Sequence, residues 1–236
     1  TGDTTTGAQI FFILFEMSYQ VLSRKWRPQR FDEVVGQIHI TRTLQNAISM
    51  DRVAHGYLFS GPRGVGKTTT ARILAKVLSC ENPQDRNPCN KCTNCRDITK
   101  GTNLDVQELD GASNRGIDEI RELREAVKYP PNSGAYRIYI IDEVHMLTRE
   151  AFNALLKTLE EPPPHIVFIM ATTDVHKVPA TILSRTQKFD FKPISVNDIS
   201  TYLKGILDNE KMTCEKEGIY LIAQKADGSL RDSLSL

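Results

Sequence analysis

The sequence predicts an α/β fold: a parallel sheet of five strands wrapped by helices, followed by a small all-helical unit. Three observations carry that prediction. Short apolar runs alternate with stretches of helical periodicity between residues 56 and 191. A glycine-rich loop, Gly61-Pro62-Arg63-Gly64-Val65-Gly66-Lys67-Thr68, joins one such run to the helical stretch that follows it. Beyond Pro193 the apolar runs cease and only helical patterns remain.

Gly56 to Ser60 is a short apolar run ending at the glycine-rich turn, and reads as a buried strand. Thr68 to Leu78 carries Ala71, Leu74, Ala75 and Leu78 at helical spacing. Asp85 to Asn94 is rich in Pro, Asn and Cys and reads as an irregular insertion. Leu104 to Leu109 is the second strand. Gly116 to Lys128 is helical, with Ile117, Ile120, Leu123 and Val127 on one side, and Pro130-Pro131 stops it. Arg137 to Ile141 is almost continuously apolar, as expected of a central parallel strand buried on both faces. Arg149 to Leu159 is a helix closed by Glu160-Glu161-Pro162-Pro163-Pro164. Ile166 to Met170 is the fourth strand and Lys188 to Phe191 the fifth, with Phe189 and Phe191 on one face. Val196 to Leu207, Lys216 to Ala226 and a start at Leu230 are helical.

These elements divide the chain into an α/β core over 17–193, carrying an insertion at 80–95, and a helical lid over 194–236 that ends inside an unfinished helix. Thr1 to Glu16 is expected to be a non-native leader or a poorly specified extension ahead of Met17, with an extra edge strand as the alternative. Its apolar run, Ile10 to Phe15, is too short for a signal-peptide core and no basic residue precedes it. No stretch approaches the roughly 18 apolar residues of a membrane span. The 236 residues are 40% hydrophobic and 25% charged, an ordinary globular balance. With a net charge of +1, nothing overall demands a polyanionic partner, and any nucleic-acid contact must come from a local basic surface.

The Gly-x-x-x-x-Gly-Lys-Thr spacing is fixed by physics. Its glycines permit a tight loop whose backbone N–H groups point at anionic oxygens, and the following helix adds its positive end. Lys67 places a charge at the terminal phosphates and Thr68 offers a hydroxyl to Mg²⁺, so residues 61 to 69, through Thr69, are the expected ATP·Mg²⁺ site. The strand ending Ile140-Ile141-Asp142-Glu143 supplies the other half. Asp142 suits the Mg²⁺ partner, and Glu143 suits a group that orients or deprotonates the attacking water. Ala171-Thr172-Thr173 follows the fourth strand, and either hydroxyl could check the γ-phosphate. The five histidines share no ligand spacing; His145 follows the acidic pair, with packing as its first explanation and a place near the site as the alternative.

Cys80-x₈-Cys89-x₂-Cys92-x₂-Cys95 offers four thiolates suited to a tetrahedral Zn²⁺ with every position filled, hence a structural site in a reducing cytoplasm. Bound metal would order an insertion too poor in apolar residues to fold alone. Cys214 stands apart as a core or surface thiol.

Together these segments resemble the AAA+ ATPases, and more narrowly the γ/τ clamp-loader subunits of bacterial DNA polymerase III. The likeness runs from Met17 to Leu236. Trp26-Arg27-Pro28 with Phe31 to Gln37 resembles the family's N-terminal box, which packs near the adenine. His55 to Gly64, Asp142 to Leu147 and Phe152 to Pro163 resemble its P-loop strand, its acidic segment and its next helix. The resemblance implies that Arg185, in Ser184-Arg185-Thr186 where the family carries Ser-Arg-Cys, is an arginine finger for the neighbouring subunit's γ-phosphate. It implies that Arg231, in Gly228-Ser229-Leu230-Arg231-Asp232, touches phosphate from within the same subunit. It agrees with the zinc module.

It further implies partners: other clamp-loader subunits, the sliding clamp, primer-template DNA and the polymerase core. DNA would lie in a central chamber, where Lys100, Asn114 and Arg115 are candidates for phosphate contacts. The implied activity is ATP hydrolysis driving clamp loading in DNA replication, within a DNA-directed DNA polymerase assembly but with no polymerase carboxylates of its own. The alternatives are another AAA+ DNA-remodelling ATPase and a non-hydrolysing ATP-binding scaffold.

Overall fold

The computed structural model describes residues 21–113 and 116–236. The leader assigned to Thr1–Glu16 and the candidates Asn114 and Arg115 lie outside the described residues. The core runs through α1 (Leu22–Lys25), α2 (Ile38–Ser49), β1 (Gly56–Ser60), α3 (Lys67–Ser79), α4 (Thr93–Lys100), β2 (Val106–Asp110), α5 (Ile117–Ala126), β3 (Arg137–Asp142), α6 (Arg149–Glu160), β4 (Ile166–Thr172), α7 (Ala180–Leu183) and β5 (Gln187–Asp190). Three helices follow: α8 (Val196–Glu210), α9 (Lys216–Lys225) and α10 (Leu230–Ser233).

The five strands form one parallel sheet in the order β2-β3-β4-β1-β5. Strands β1 and β4 are buried at every position, whereas β2 and β5, at the sheet edges, are mostly exposed. Because strand side chains alternate, the central strands feed two cores. Tyr57, Phe59, Ile138, Ile140, Val167 and Ile169 face Ile40 and Leu44 of α2 and Ile73 and Leu74 of α3. Leu58, Tyr139, Ile141, Phe168 and Met170 face Ile120 and Leu123 of α5 and Phe152 and Leu155 of α6. The expected pair Phe189 and Phe191 is buried in the first of these cores.

A third, smaller core holds Ile194, Ile199, Leu203, Ile219 and Ala223, joined by Val35 from the N-terminal segment. One polar tie fixes the chain just before this unit, and a second joins α8 to the end of α1. Buried Gln37 donates from Nε2 to the Lys192 carbonyl at 2.7 Å and accepts from the Lys192 N–H at 3.2 Å. Tyr202 donates to the Trp26 carbonyl at 2.5 Å, and its burial pushes the phenol up to about 12.

The differences from expectation sit at ends and in the insertion. β2 starts two residues later than expected, and β4 extends two further, to Thr172. Helix α2 had no counterpart in the expectations, although Ile40 and Leu44 stand four apart and are both buried. The insertion expected to be irregular as far as Asn94 becomes helical at Thr93, because the Cys92 sulfur accepts the Cys95 N–H and caps α4.

The loop ahead of β3 is tied to the start of β2 through Asp105, which is 1% exposed. Its carboxylate accepts from the Asn132 N–H at 2.8 Å, the Ser133 N–H at 2.7 Å and both their side chains, with Arg137 at 3.7 Å. Burial alone would raise this carboxyl, but the hydrogen bonds outweigh it and hold it below its ordinary 3.8. Its stabilising contribution is therefore present above 3.8 and is lost as pH falls through the lower folded value. Asp105→Asn should cost about 2 kcal/mol at neutral pH. The deficit should shrink as both proteins are melted at progressively lower pH.

Candidate nucleotide site

The parallel register brings the C-terminal ends of β1, β3 and β4 to one edge, with Ser60 beside Thr172 and Ile141 beside Met170. The phosphate loop leaves β1 there. Gly61, Gly64 and Gly66 take φ of 140°, 76° and 102°, a region that suits glycine. Space demands glycine too. A Cβ at Gly61 would meet the Phe191 carbonyl oxygen at 2.3 Å, and one at Gly64 would meet Ser229 Oγ at 2.0 Å and Arg231 Cβ at 3.3 Å. The loop is thus packed between the sheet edge and the start of α10.

Lys67 is 6% exposed and its Nζ donates to the carbonyls of Gly61 at 2.8 Å and Pro62 at 2.7 Å. Burial lowers its pKa, against the opposing pull of Glu143 and Asp142. Thr68 Oγ1 donates to Asp142 Oδ2 at 2.6 Å. The hydroxyl and carboxylate expected to share Mg²⁺ therefore converge on one point, and their oxygens are the donor type that Mg²⁺ takes.

Glu143 sits at φ 45°, ψ 45°, a left-handed conformation that costs a non-glycine residue about 1–2 kcal/mol. Hydrogen bonds hold it there. Its N–H donates to Asp142 Oδ1 at 2.9 Å, and the Gly111 N–H donates to the Asp142 carbonyl at 2.8 Å. Its Oε2 accepts from Thr173 Oγ1 at 2.8 Å and from the Thr173 N–H at 3.2 Å. The two threonines are thereby separated. Thr173 is exposed and faces Glu143, while Thr172 is fully buried and turned toward His145 and Asp174.

A cleft runs along this edge between core and lid. Gly64 to Thr69, Asp142, Glu143 and Arg231 line it with polar groups, and Val34, Val35, Ile194, Leu230 and Leu234 with apolar ones. Arg27 and Arg63 also enter it. Burial lowers the Arg27 pKa, and the nearby Arg72 and Arg231 lower it further against the pull of Glu108, so positive charge is concentrated here.

Arg185 is not in this cleft. Its carbonyl packs where a Cβ on Gly56 would lie 3.4 Å away, at the opposite end of β1. At about 3.3 Å per residue, β1 separates it from the phosphate loop by roughly 13 Å. Its guanidinium donates to Glu160 Oε1 at 2.8 Å and to the Thr181 carbonyl at 2.9 Å. Lys100 ends α4, in a basic groove beside Arg72 and Lys76.

The four clustered cysteines converge as well. All four Sγ atoms lie within 4.8 Å of one another, and those of Cys89 and Cys95 are 4.0 Å apart. Tetrahedral Zn–S bonds would put sulfurs about 3.8 Å apart, so the set fits Zn²⁺. Backbone N–H groups of Lys91 and Cys92 point at the Cys89 sulfur and bring its thiol down to about 6, while burial pushes Cys95 up. Cys214 is exposed and apart.

Residues 36–195 match the family model described as DNA polymerase III, delta subunit, and residues 198–236 match that of the DNA polymerase III clamp loader subunit, ATPase lid domain. The tau subunit of Bacillus subtilis DNA polymerase III is 56% identical over 220 residues, covering 93% of this chain and 39% of that protein. The gamma subunit of Buchnera aphidicola subsp. Baizongia pistaciae is 48% identical over 220 residues, covering 93% of this chain and 60% of that protein. The chain belongs to the γ/τ clamp-loader family of DNA polymerase III. It spans about two to three fifths of the length of these two relatives. Among solved structures, the Thermotoga maritima RuvB Holliday junction branch migration motor superposes with a TM-score of 0.64 at 18% identity, covering 89% of this chain and 63% of that one. That likeness shows the AAA+ fold.

Within this clamp-loader framework the structure brings together Lys67, Thr68, Asp142, Glu143, Thr173 and Arg231 and keeps Arg185 apart. Two residues to which sequence reasoning gave no role meet Glu143. His145, first explained above by packing, has Nδ1 only 3.3 Å from Glu143 Oε2. Gly111 approaches so closely that a Cβ would meet the Glu143 carbonyl oxygen at 2.7 Å. The position of His145 two residues past the acidic pair was its only signal, and Gly111 gave none. Among the described residues no helix is long and apolar enough to cross a membrane.

Gly64→Ala should separate phosphate-loop geometry from chemistry. The added methyl must displace Ser229 at a positive φ, so a fluorescent ATP analogue should bind at least about tenfold more weakly, the equivalent of about 1.4 kcal/mol. The melting temperature of the nucleotide-free protein should fall as well.

Proposed function

We propose that this chain is the ATP-binding and ATP-hydrolysing part of a cytoplasmic clamp-loader motor that places a sliding clamp on primed DNA during replication. Its partners would be other clamp-loader subunits, the clamp, primer-template DNA and the polymerase core. The observation that carries the reading is the division of one ATPase site between two ends of the sheet. Lys67, Thr68, Asp142, Glu143 and Thr173 gather at one end of β1, and Arg185 lies at the other. A finger so placed acts on the nucleotide of an adjacent copy or homologue, which makes hydrolysis depend on assembly.

Backbone N–H groups of Gly64 to Thr69 would cradle the phosphates, and Lys67 would turn from its carbonyl partners to the β- and γ-oxygens. The apolar side chains of the cleft, Val34, Val35 and Ile194, suit the adenine. Thr68 and Asp142 would hold Mg²⁺, which neutralises charge on the phosphate oxygens. Glu143 takes the proton of, or orients, the attacking water. Thr173 ties Glu143 to the γ-phosphate position, and the neighbour's arginine stabilises charge spreading over the transferring group. Arg231, packed on the loop through Gly64, links nucleotide state to the lid. Cys80, Cys89, Cys92 and Cys95 would hold a structural Zn²⁺, with no step of hydrolysis passing through it.

Glu143→Gln in the full-length assembled protein should leave ATP affinity within about twofold and lower turnover by at least about 100-fold. Undiminished turnover would refute the role given to Glu143. Anaerobically purified protein should contain about one zinc per chain, and chelation should lower its melting temperature. Absence of zinc from such protein would refute the structural centre.

A further inference from the structure

Beside Glu143 lies a buried histidine that the hydrolysis scheme above does not use. His145 is 9% exposed in its side chain, and its Nδ1 lies 3.0 Å from Thr172 Oγ1 and 3.3 Å from Glu143 Oε2. The hydrogen count around Thr172 decides how these contacts are made. Thr172 Oγ1 donates to the Asp174 carbonyl at 3.0 Å and accepts from the Asp174 N–H at 3.0 Å. A hydroxyl has one proton, and with that proton on the Asp174 carbonyl the remaining lone pair of Thr172 is open to a donor. Glu143 Oε2 only accepts when ionised. Both His145 contacts and the Asp174 contact are satisfied together if Nδ1 carries a proton shared between Thr172 and Glu143, whereas a bare Nδ1 would take the Thr172 proton from Asp174 and set a lone pair against Glu143 Oε2.

Glu143 Oε2 then receives three donors: Thr173 Oγ1, the Thr173 N–H and His145 Nδ1. Its two oxygens are thereby unlike. No hydrogen bond from the described residues reaches Oε1.

We propose that His145 is a positioning residue for ATP hydrolysis: its Nδ1–H, fixed by Thr172, pins Oε2 of Glu143 and leaves Oε1 as the oxygen that receives the attacking water. The inference rests on Glu143 acting on that water. His145 touches neither nucleotide nor water, and it works by preventing the carboxylate from rotating.

The test uses His145→Leu and His145→Asn in the full-length assembled protein. Leucine fills the space without a donor, and asparagine restores an N–H near the Nδ1 position. His145→Leu should lower kcat by roughly 10- to 100-fold with KM and ATP affinity unchanged. His145→Asn should recover most of the loss. In a Glu143→Gln background, His145→Leu should cause no further loss in single-turnover hydrolysis, because the group it positions is gone. Unchanged kcat in His145→Leu, or a loss of ATP affinity parallel to kcat that asparagine does not restore, would overturn the proposal. Full activity of Glu143→Gln itself would instead overturn the hydrolysis scheme beneath it.

Discussion

The constraint on which the rest depends is the parallel alignment of β1, β4 and β3. Parallel pairing puts the carboxyl ends of all three on one edge of the sheet, and the register sets which residues meet there. Residue 61 begins the phosphate loop, Asp142 ends β3, and Thr173 follows β4. A shift of one residue in β3 would turn Ile140 and Ile141 to the wrong cores and carry Asp142 away from Thr68. The strand register that builds the sheet therefore also fixes the 2.6 Å contact between Thr68 and Asp142. Stability and chemistry are set by the same pattern.

The site built on that edge concentrates charges that are costly without a ligand. Lys67 is buried, Arg27 is crowded by Arg72 and Arg231, and Glu143 occupies a strained backbone conformation. A bound polyphosphate would offset the first two costs, and hydrogen bonds involving Asp142, Gly111 and Thr173 support the third. The lid takes part because Ser229 and Arg231 pack directly on Gly64, so movement of the loop and movement of α10 are mechanically linked. Arg185 follows a different logic. It is held by Glu160 on the far end of the sheet, and in the proposed scheme it serves a site that another molecule brings to it.

Much of this was legible in the sequence. Tyr57 to Ser60, Ile138 to Ile141 and Ile166 to Met170 are continuous apolar runs, and continuous runs mark strands buried on both faces. The loop motif and the acidic pair carry their chemistry in residue type and spacing, as do the four cysteines. What escaped was decided by contacts between distant segments. Periodicity says nothing about Thr172 versus Thr173, since their separation comes from the sheet's pleat, which turns one inward and leaves the other facing Glu143. His145 looks like packing until Thr172, 27 residues away, supplies its partner. The helix α4 was hidden because a sulfur, not an oxygen, caps its start.

The central claim is that one ATPase site is completed by residues of two molecules. Subunit mixing tests it most directly, with full-length protein carrying Lys67→Ala combined with full-length protein carrying Arg185→Ala. Each alone should hydrolyse little ATP, the first for want of phosphate binding and the second for want of the finger. The mixture should regain activity, because the Arg185→Ala copy binds ATP and the Lys67→Ala copy offers its arginine. A mixture no more active than its components, or undiminished hydrolysis by Arg185→Ala alone, would contradict the account.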